Sequence, residues 1–128
     1  MGGRSNLAEL GLLRQDILRM GGLVVAQLKR ALEAFADSDL EAAESVIERD
    51  DLVDNINLRV EARSFRLASA RGADHRAAIS ALKVATNLEH CGDAATHIAK
   101  HIRLMRSEGL AEESYELGPL VQLVPRAL

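Results

Sequence analysis

Proline is the residue that a helix interior excludes, and this chain of 128 residues has none before Pro119; its other proline is Pro125. The stretch ahead of Pro119 is filled with Ala, Leu, Glu and Arg, all strong helix formers. Aromatic residues make up only 2% of the chain, with no Trp and a single Tyr. A long run of this kind has few strand signals and points to an all-α protein.

The apolar spacing divides the run into three long helices. The first is expected over 7–36, with Leu10, Leu13, Ile17, Met20, Val24, Leu28, Ala31 and Phe35 at steps of three and four. Asn6 and Glu9 have the spacing of a capping box. Asp37-Ser38-Asp39 breaks the pattern, and Ser38 with Glu41 forms an S-x-x-E start for a second helix running to about Arg71. Val46, Val53, Ile56, Val60 and Leu67 share one face of it, and Gly72 is a natural stop. Asp74 is the expected cap of a third helix ending near Ser107, whose stripe is small: Ala81, Ala85, Leu88, Gly92, Ala95, Ala99 and Ile102. Connections this short force antiparallel neighbours, so residues 5–108 should form an up-down-up, antiparallel three-helix bundle. In the tail, 109–128, Leu117, Leu120, Val121, Val124 and Leu128 keep helical spacing between the prolines, as the start of a short partial fourth helix would. Gly21-Gly22 lie in mid-helix, where each costs about 1 kcal/mol against Ala, and close packing of another helix is the expected compensation.

Composition removes several classes of function. A net charge of -3 and the scarcity of aromatic rings leave little basis for binding nucleic acid. No apolar run reaches the roughly 18–20 residues of a membrane span, and no signal-peptide core follows Met1. One cysteine, Cys91, cannot form an internal disulfide and reads as a small buried apolar residue. A soluble, cytoplasmic protein without membrane insertion is expected. No Ser/His/Asp, Cys/His or Walker-type arrangement is present, so no catalytic residue is assigned and no enzyme is expected.

Two acidic pairs carry the chemistry. Asp50 and Asp54 are four residues apart, as are Glu89 and Asp93, so each pair points from one helix face. Two such helices packed together would offer four carboxylates, whose repulsion calls for a cation, a proton or a basic side chain. Oxygen-rich clusters suit hard cations such as magnesium, manganese, calcium or iron. Asn57 and Glu61 continue the first face as further ligands or supports, and His90, His97 and His101 fall within an arc of about 120° around the second. An imidazole contribution would favour iron, manganese or zinc. The plainer alternatives are a solvated acidic face paired with Arg49, Arg59 or Lys100, and histidines that are simply on the surface. Arg59, Arg63, Arg66 and Arg71 recur along the second helix as solvated charge or as contacts for an acidic partner.

Three motifs occur in order and at matching intervals: Met20-Gly21-Gly22, Val46-Ile47-Glu48-Arg49-Asp50 leading into Asp54, and Leu88-Glu89-His90-Cys91-Gly92-Asp93. Together with Arg76, thirteen residues before Glu89, they resemble the PhoU family of phosphate-signalling regulators from about Leu13 to Ile102. The resemblance implies a three-helix repeat, usually present in tandem, whose acidic E/D-x-x-x-D motifs bind metal clusters. By position, Asp50 and Asp54 match the first motif and Glu89 and Asp93 the second, with iron, zinc, manganese or magnesium as the implied ion. It also implies negative regulation of phosphate uptake and phosphate-starvation signalling. The implied partners are the ATPase of the phosphate ABC transporter and a sensor histidine kinase, which would hold the protein at the inner membrane. The sequence departs from the family at His90, where arginine is usual, at Cys91, where an aliphatic residue is usual, and in having one repeat. Either this is a truncated regulator or a second copy replaces the missing repeat; a homodimer is expected, with Leu117, Leu120 and Val124 in or near the contact and Met20-Gly21-Gly22 lining a helix crossing. The rival readings are a small carboxylate-bridged di-metal protein of redox or storage chemistry, which the absence of Glu-x-x-His opposes, and a metal-free helical adaptor.

Overall fold

In a computed structural model that describes residues 2–69 and 72–108, three helices account for nearly all of the backbone: α1 (Gly2–Asp37), α2 (Leu40–Ala68) and α3 (Ala73–Ser107). Each packs against both others, which gives the expected antiparallel three-helix bundle. The expected fourth helix and the contacts of Leu117, Leu120 and Val124 lie outside the described residues.

The reversals fall where the sequence breaks, but their chemistry differs from the expected caps. Ser38 has φ 52°, the left-handed conformation that closes a helix rather than opening one. The Asp39 amide donates to the Ala34 carbonyl at 2.9 Å and the Ser38 amide to that of Phe35 at 3.4 Å, a Schellman closure of α1. Asp39, not Ser38, is therefore the N-cap of α2, its carboxylate accepting from the Ala42 amide at 3.1 Å. At the other end α2 stops at Ala68, short of Arg71, and Gly72 at φ 66° takes the position before α3 without a side-chain cap. The other two expected caps are also displaced. α1 begins ahead of Asn6, and Asp74 lies inside the first turn of α3; the Asn6 amide donates to the Asp74 carboxylate at 3.2 Å.

The core follows the predicted stripes and grades in size along the bundle. Leu13, Met20, Val24, Val53, Ile56, Val60 and Leu67 are buried against Ala78 and Ala85. Toward the α1–α2 turn the filling changes to Ala31, Ala34, Ala43, Val46, Ala95, Ala99 and Ile102. Phe35, Leu28, Ala81 and Leu88 are only partly buried and form the rim. Gln27 is buried with its amide donating to the Val46 carbonyl at 2.7 Å, so its polar end is satisfied within the α1–α2 seam.

That seam is also ionic. Arg63 reaches Glu9 at 2.9 Å and Asp16 at 3.1 Å, while Arg66 meets Glu9 at 3.1 Å and Arg59 meets Asp16 at 3.8 Å. Of these arginines only Arg63 is mostly covered; Arg59 and Arg66 stay half or more exposed. The mid-helix glycines behave unlike the expectation: a Cβ added at Gly21 or Gly22 would meet nothing within 4 Å. No helix of the bundle crosses closely there. Gly92 is the position of close approach, where an added Cβ would lie 3.4 Å from Val53 Cγ1 and 3.8 Å from Val24 Cγ2.

Candidate metal centre

Gly92 sits between Glu89 and Asp93, and Val53 between Asp50 and Asp54. The contact of these two small-to-medium residues brings both acidic pairs to the same level of the α2–α3 seam. Asp50, Asp54 and Glu89 are half-buried there and Asp93 is exposed. The expectation that the two pairs share one region is met in the fold.

Their electrostatics show the crowding. Burial, followed by a hydrogen bond with Asp54 and the charges of Asp54, Asp93 and Asp50, pushes the Glu89 carboxyl up to about 8. Asp50 is also raised, chiefly by burial, with the charges of Asp54, Asp93 and Asp51 adding to it. Its hydrogen bond from the Thr96 hydroxyl at 3.1 Å opposes that shift. The same hydroxyl lies 3.2 Å from the Gly92 carbonyl, which fixes its position on α3. A hydrogen bond between two carboxyl groups needs a proton on one of them, which agrees with the upward shift of Glu89.

None of the four acids takes part in an ion pair among the described residues, and Arg59, offered above as a partner for them, is engaged with Asp16. Glu89 Oε2 is buried without a hydrogen-bond partner, an acceptor with unused capacity in an all-oxygen setting. That donor chemistry suits a hard cation. Among the described residues, however, no three His, Cys, Asp or Glu side chains converge as a ready metal site. The seam brings carboxylates from α2 and α3 to one level without converging three of them on a point among the described residues.

The accessory positions separate. Asn57 donates to Glu61 at 3.3 Å, so these two satisfy each other on the α2 face above Asp54. His90 and His97 are exposed. His101 turns away altogether and stacks on Phe35 of α1, with ring centroids 6.3 Å apart and planes within 11°. Thr96 was not anticipated as part of the site. Its signal was available in the spacing, because position 96 is seven residues after Glu89 and so returns to the same helix face.

A helical bundle with a carboxylate-rich seam between two of its helices defines the class, and comparison with known proteins gives the family. Residues 17–102 match the PhoU domain, so the chain belongs to the PhoU family. It is 32% identical over 121 residues to the phosphate-specific transport system accessory protein PhoU homolog of Caulobacter vibrioides, covering 89% of this chain and 53% of that protein. Proteins with the same description are similar in Clostridium acetobutylicum, at 30% identity with 90% and 56% of the two chains covered, and in Pseudomonas aeruginosa, at 33% with 94% and 53% covered. The chain spans about half the length of these curated relatives. No solved structure gives a significant match. Among the described residues no helix is long and apolar enough to cross a membrane.

Proposed function

We propose that this chain is a non-enzymatic, cytoplasmic regulator that restrains phosphate uptake and phosphate-starvation signalling through protein–protein contacts. The observation that carries the reading is the family match over 17–102, which spans both acidic pairs, joined to relatives described as accessory proteins of phosphate-specific transport. Its partners in this reading are the ATPase of the phosphate ABC transporter and a sensor histidine kinase, and it works as a homodimer.

Asp50, Asp54, Glu89 and Asp93 hold the metal, with Asn57 and Glu61 beside them. The all-oxygen set and the unpartnered Glu89 Oε2 favour iron, manganese or magnesium over zinc. A bound cation would supply the positive charge that no side chain provides among the described residues. This chain's own contribution is the placement: Gly92 admits Val53, and Thr96 orients Asp50.

Elemental analysis of protein purified without chelator, alongside a phosphate-starvation reporter in the source cell, tests both halves. The expected outcome is metal in the parent, most of it lost in Asp54→Asn and in Asp93→Asn, and a reporter that is derepressed when the chain is deleted. Metal retained by both variants removes the centre; a reporter indifferent to deletion removes the regulatory role.

A further inference from the structure

Resting on the metal-centre reading above, we propose that Thr96 sets the ion selectivity of that centre: its hydroxyl engages one oxygen of Asp50, leaves Asp50 the other to offer a cation, and so favours magnesium or manganese over calcium. The arrangement on which this stands joins two helices. The Thr96 hydroxyl on α3 donates to Asp50 Oδ1 on α2 at 3.1 Å. Thr96 is only 6% exposed, so water has little access to its side of that bond.

The two acids of α2 are met differently across the seam. Asp54 meets another carboxyl, that of Glu89, whereas Asp50 meets a neutral donor. A carboxyl partner is itself a candidate ligand. A hydroxyl holds its acceptor by donation, and that bond strengthens when the acceptor carries full charge. The bond from Thr96 is therefore compatible with Asp50 serving as an anionic ligand.

Thr96 is also held from its own side. Its hydroxyl lies 3.2 Å from the Gly92 carbonyl, one turn back on α3, and Gly92 is where α3 packs on Val53. A helical threonine touching the carbonyl four residues back is common and would mean nothing alone. The contact with Asp50, 46 residues away in sequence, is not of that local kind. A hydroxyl has one proton to give, and an ionised Asp50 is the stronger of the two acceptors.

Coordination preference turns the bond into selectivity. Calcium takes about six to eight oxygens and draws on both oxygens of a carboxylate, while magnesium demands a compact octahedral set. Manganese shares that octahedral oxygen preference. An Asp50 with one oxygen engaged by Thr96 suits the smaller ions. Groups that orient a metal ligand in this way are worth about 10–100-fold in affinity. Without the hydroxyl, Asp50 loses its orientation for a small ion and gains a second oxygen for a large one.

Manganese titration of the chelator-stripped full chain, followed by the EPR signal of the free ion, is the test, with calcium as competitor at saturating manganese. Thr96→Val keeps the shape of the side chain and removes the hydroxyl; it should weaken manganese binding by about tenfold or more. The calcium needed to displace half of the bound manganese should fall by a similar factor. Thr96→Ala makes the same deletion with a better helix former, so the result does not hang on the folding of one variant. Thr96→Ser retains the hydroxyl and should stay within about threefold of the parent for both ions. A parent that binds no manganese overturns the centre and this role together. If the parent binds manganese, three results each overturn the role of Thr96 alone: unchanged affinity in Thr96→Val and Thr96→Ala, unchanged competition by calcium, or a Thr96→Ser protein as weak as Thr96→Val.

Discussion

Glu89 is the residue on which the acidic seam turns. Its carboxyl is pushed up to about 8 from an ordinary value of 4.5, mainly by burial and then by Asp54. Between those two values the folded protein holds a proton that the unfolded chain releases. The sign then follows from linkage: where the native state binds more protons, stability falls as pH rises. The metal-free chain should lose melting temperature from about pH 5 to pH 8, and Glu89→Gln, which cannot ionise, should flatten that slope. An unchanged slope in Glu89→Gln would assign the effect elsewhere. The acidic spacing was legible in the sequence because i and i+4 share a helix face, but the ordering of the acids was not. Which carboxyl keeps the proton depends on burial, and burial depends on a second helix.

At the level of elements, α2 and α3 are joined by a residue that has no side chain. Gly92 allows Val53 to approach, and the acids on either side of each come with them. A methyl at this position would sit 3.4 Å from Val53 Cγ1, which is ordinary contact, so Gly92→Ala should fold and keep the seam. Gly92→Leu must push the helices apart, at a cost of about 1–3 kcal/mol typical of overpacking. It should also lower the raised pKa of Glu89 by admitting water. Chemical denaturation with NMR titration of the glutamate carboxyls checks both, and a Gly92→Leu protein as stable as the parent would disprove the tight approach. The helices themselves were readable from their apolar steps; their caps were not. Ser38 has the right residue type for an N-cap, yet it adopts the left-handed conformation that closes α1, and the capping role passes to Asp39. A sequence signature cannot tell which of two adjacent polar residues ends one helix and which begins the next.

For the whole molecule, ionising Glu89 and Asp50 costs stability, because burial and neighbouring carboxylates raise both pKa values. A cation that binds only the folded state must stabilise it by mass action. Manganese or magnesium at a hundred times its dissociation constant should therefore add about 2.7 kcal/mol to the parent and nearly nothing to Asp93→Asn, as read by thermal melts with and without the ion. Equal shifts in both proteins would locate the ion elsewhere. The sequence by itself determined the class of fold, the number of helices and the face on which each acidic pair lies. These follow from local rules: a proline-free run, apolar steps of three and four, and the 3.6-residue turn. Tertiary structure decided the rest. It directed Arg59 and Arg63 to Glu9 and Asp16, stacked His101 on Phe35, added Thr96 to the acids and left Gly21 and Gly22 with none of the described residues packed over them. The reason is that a helix face specifies directions on one cylinder, whereas a contact needs two cylinders and the distance between them.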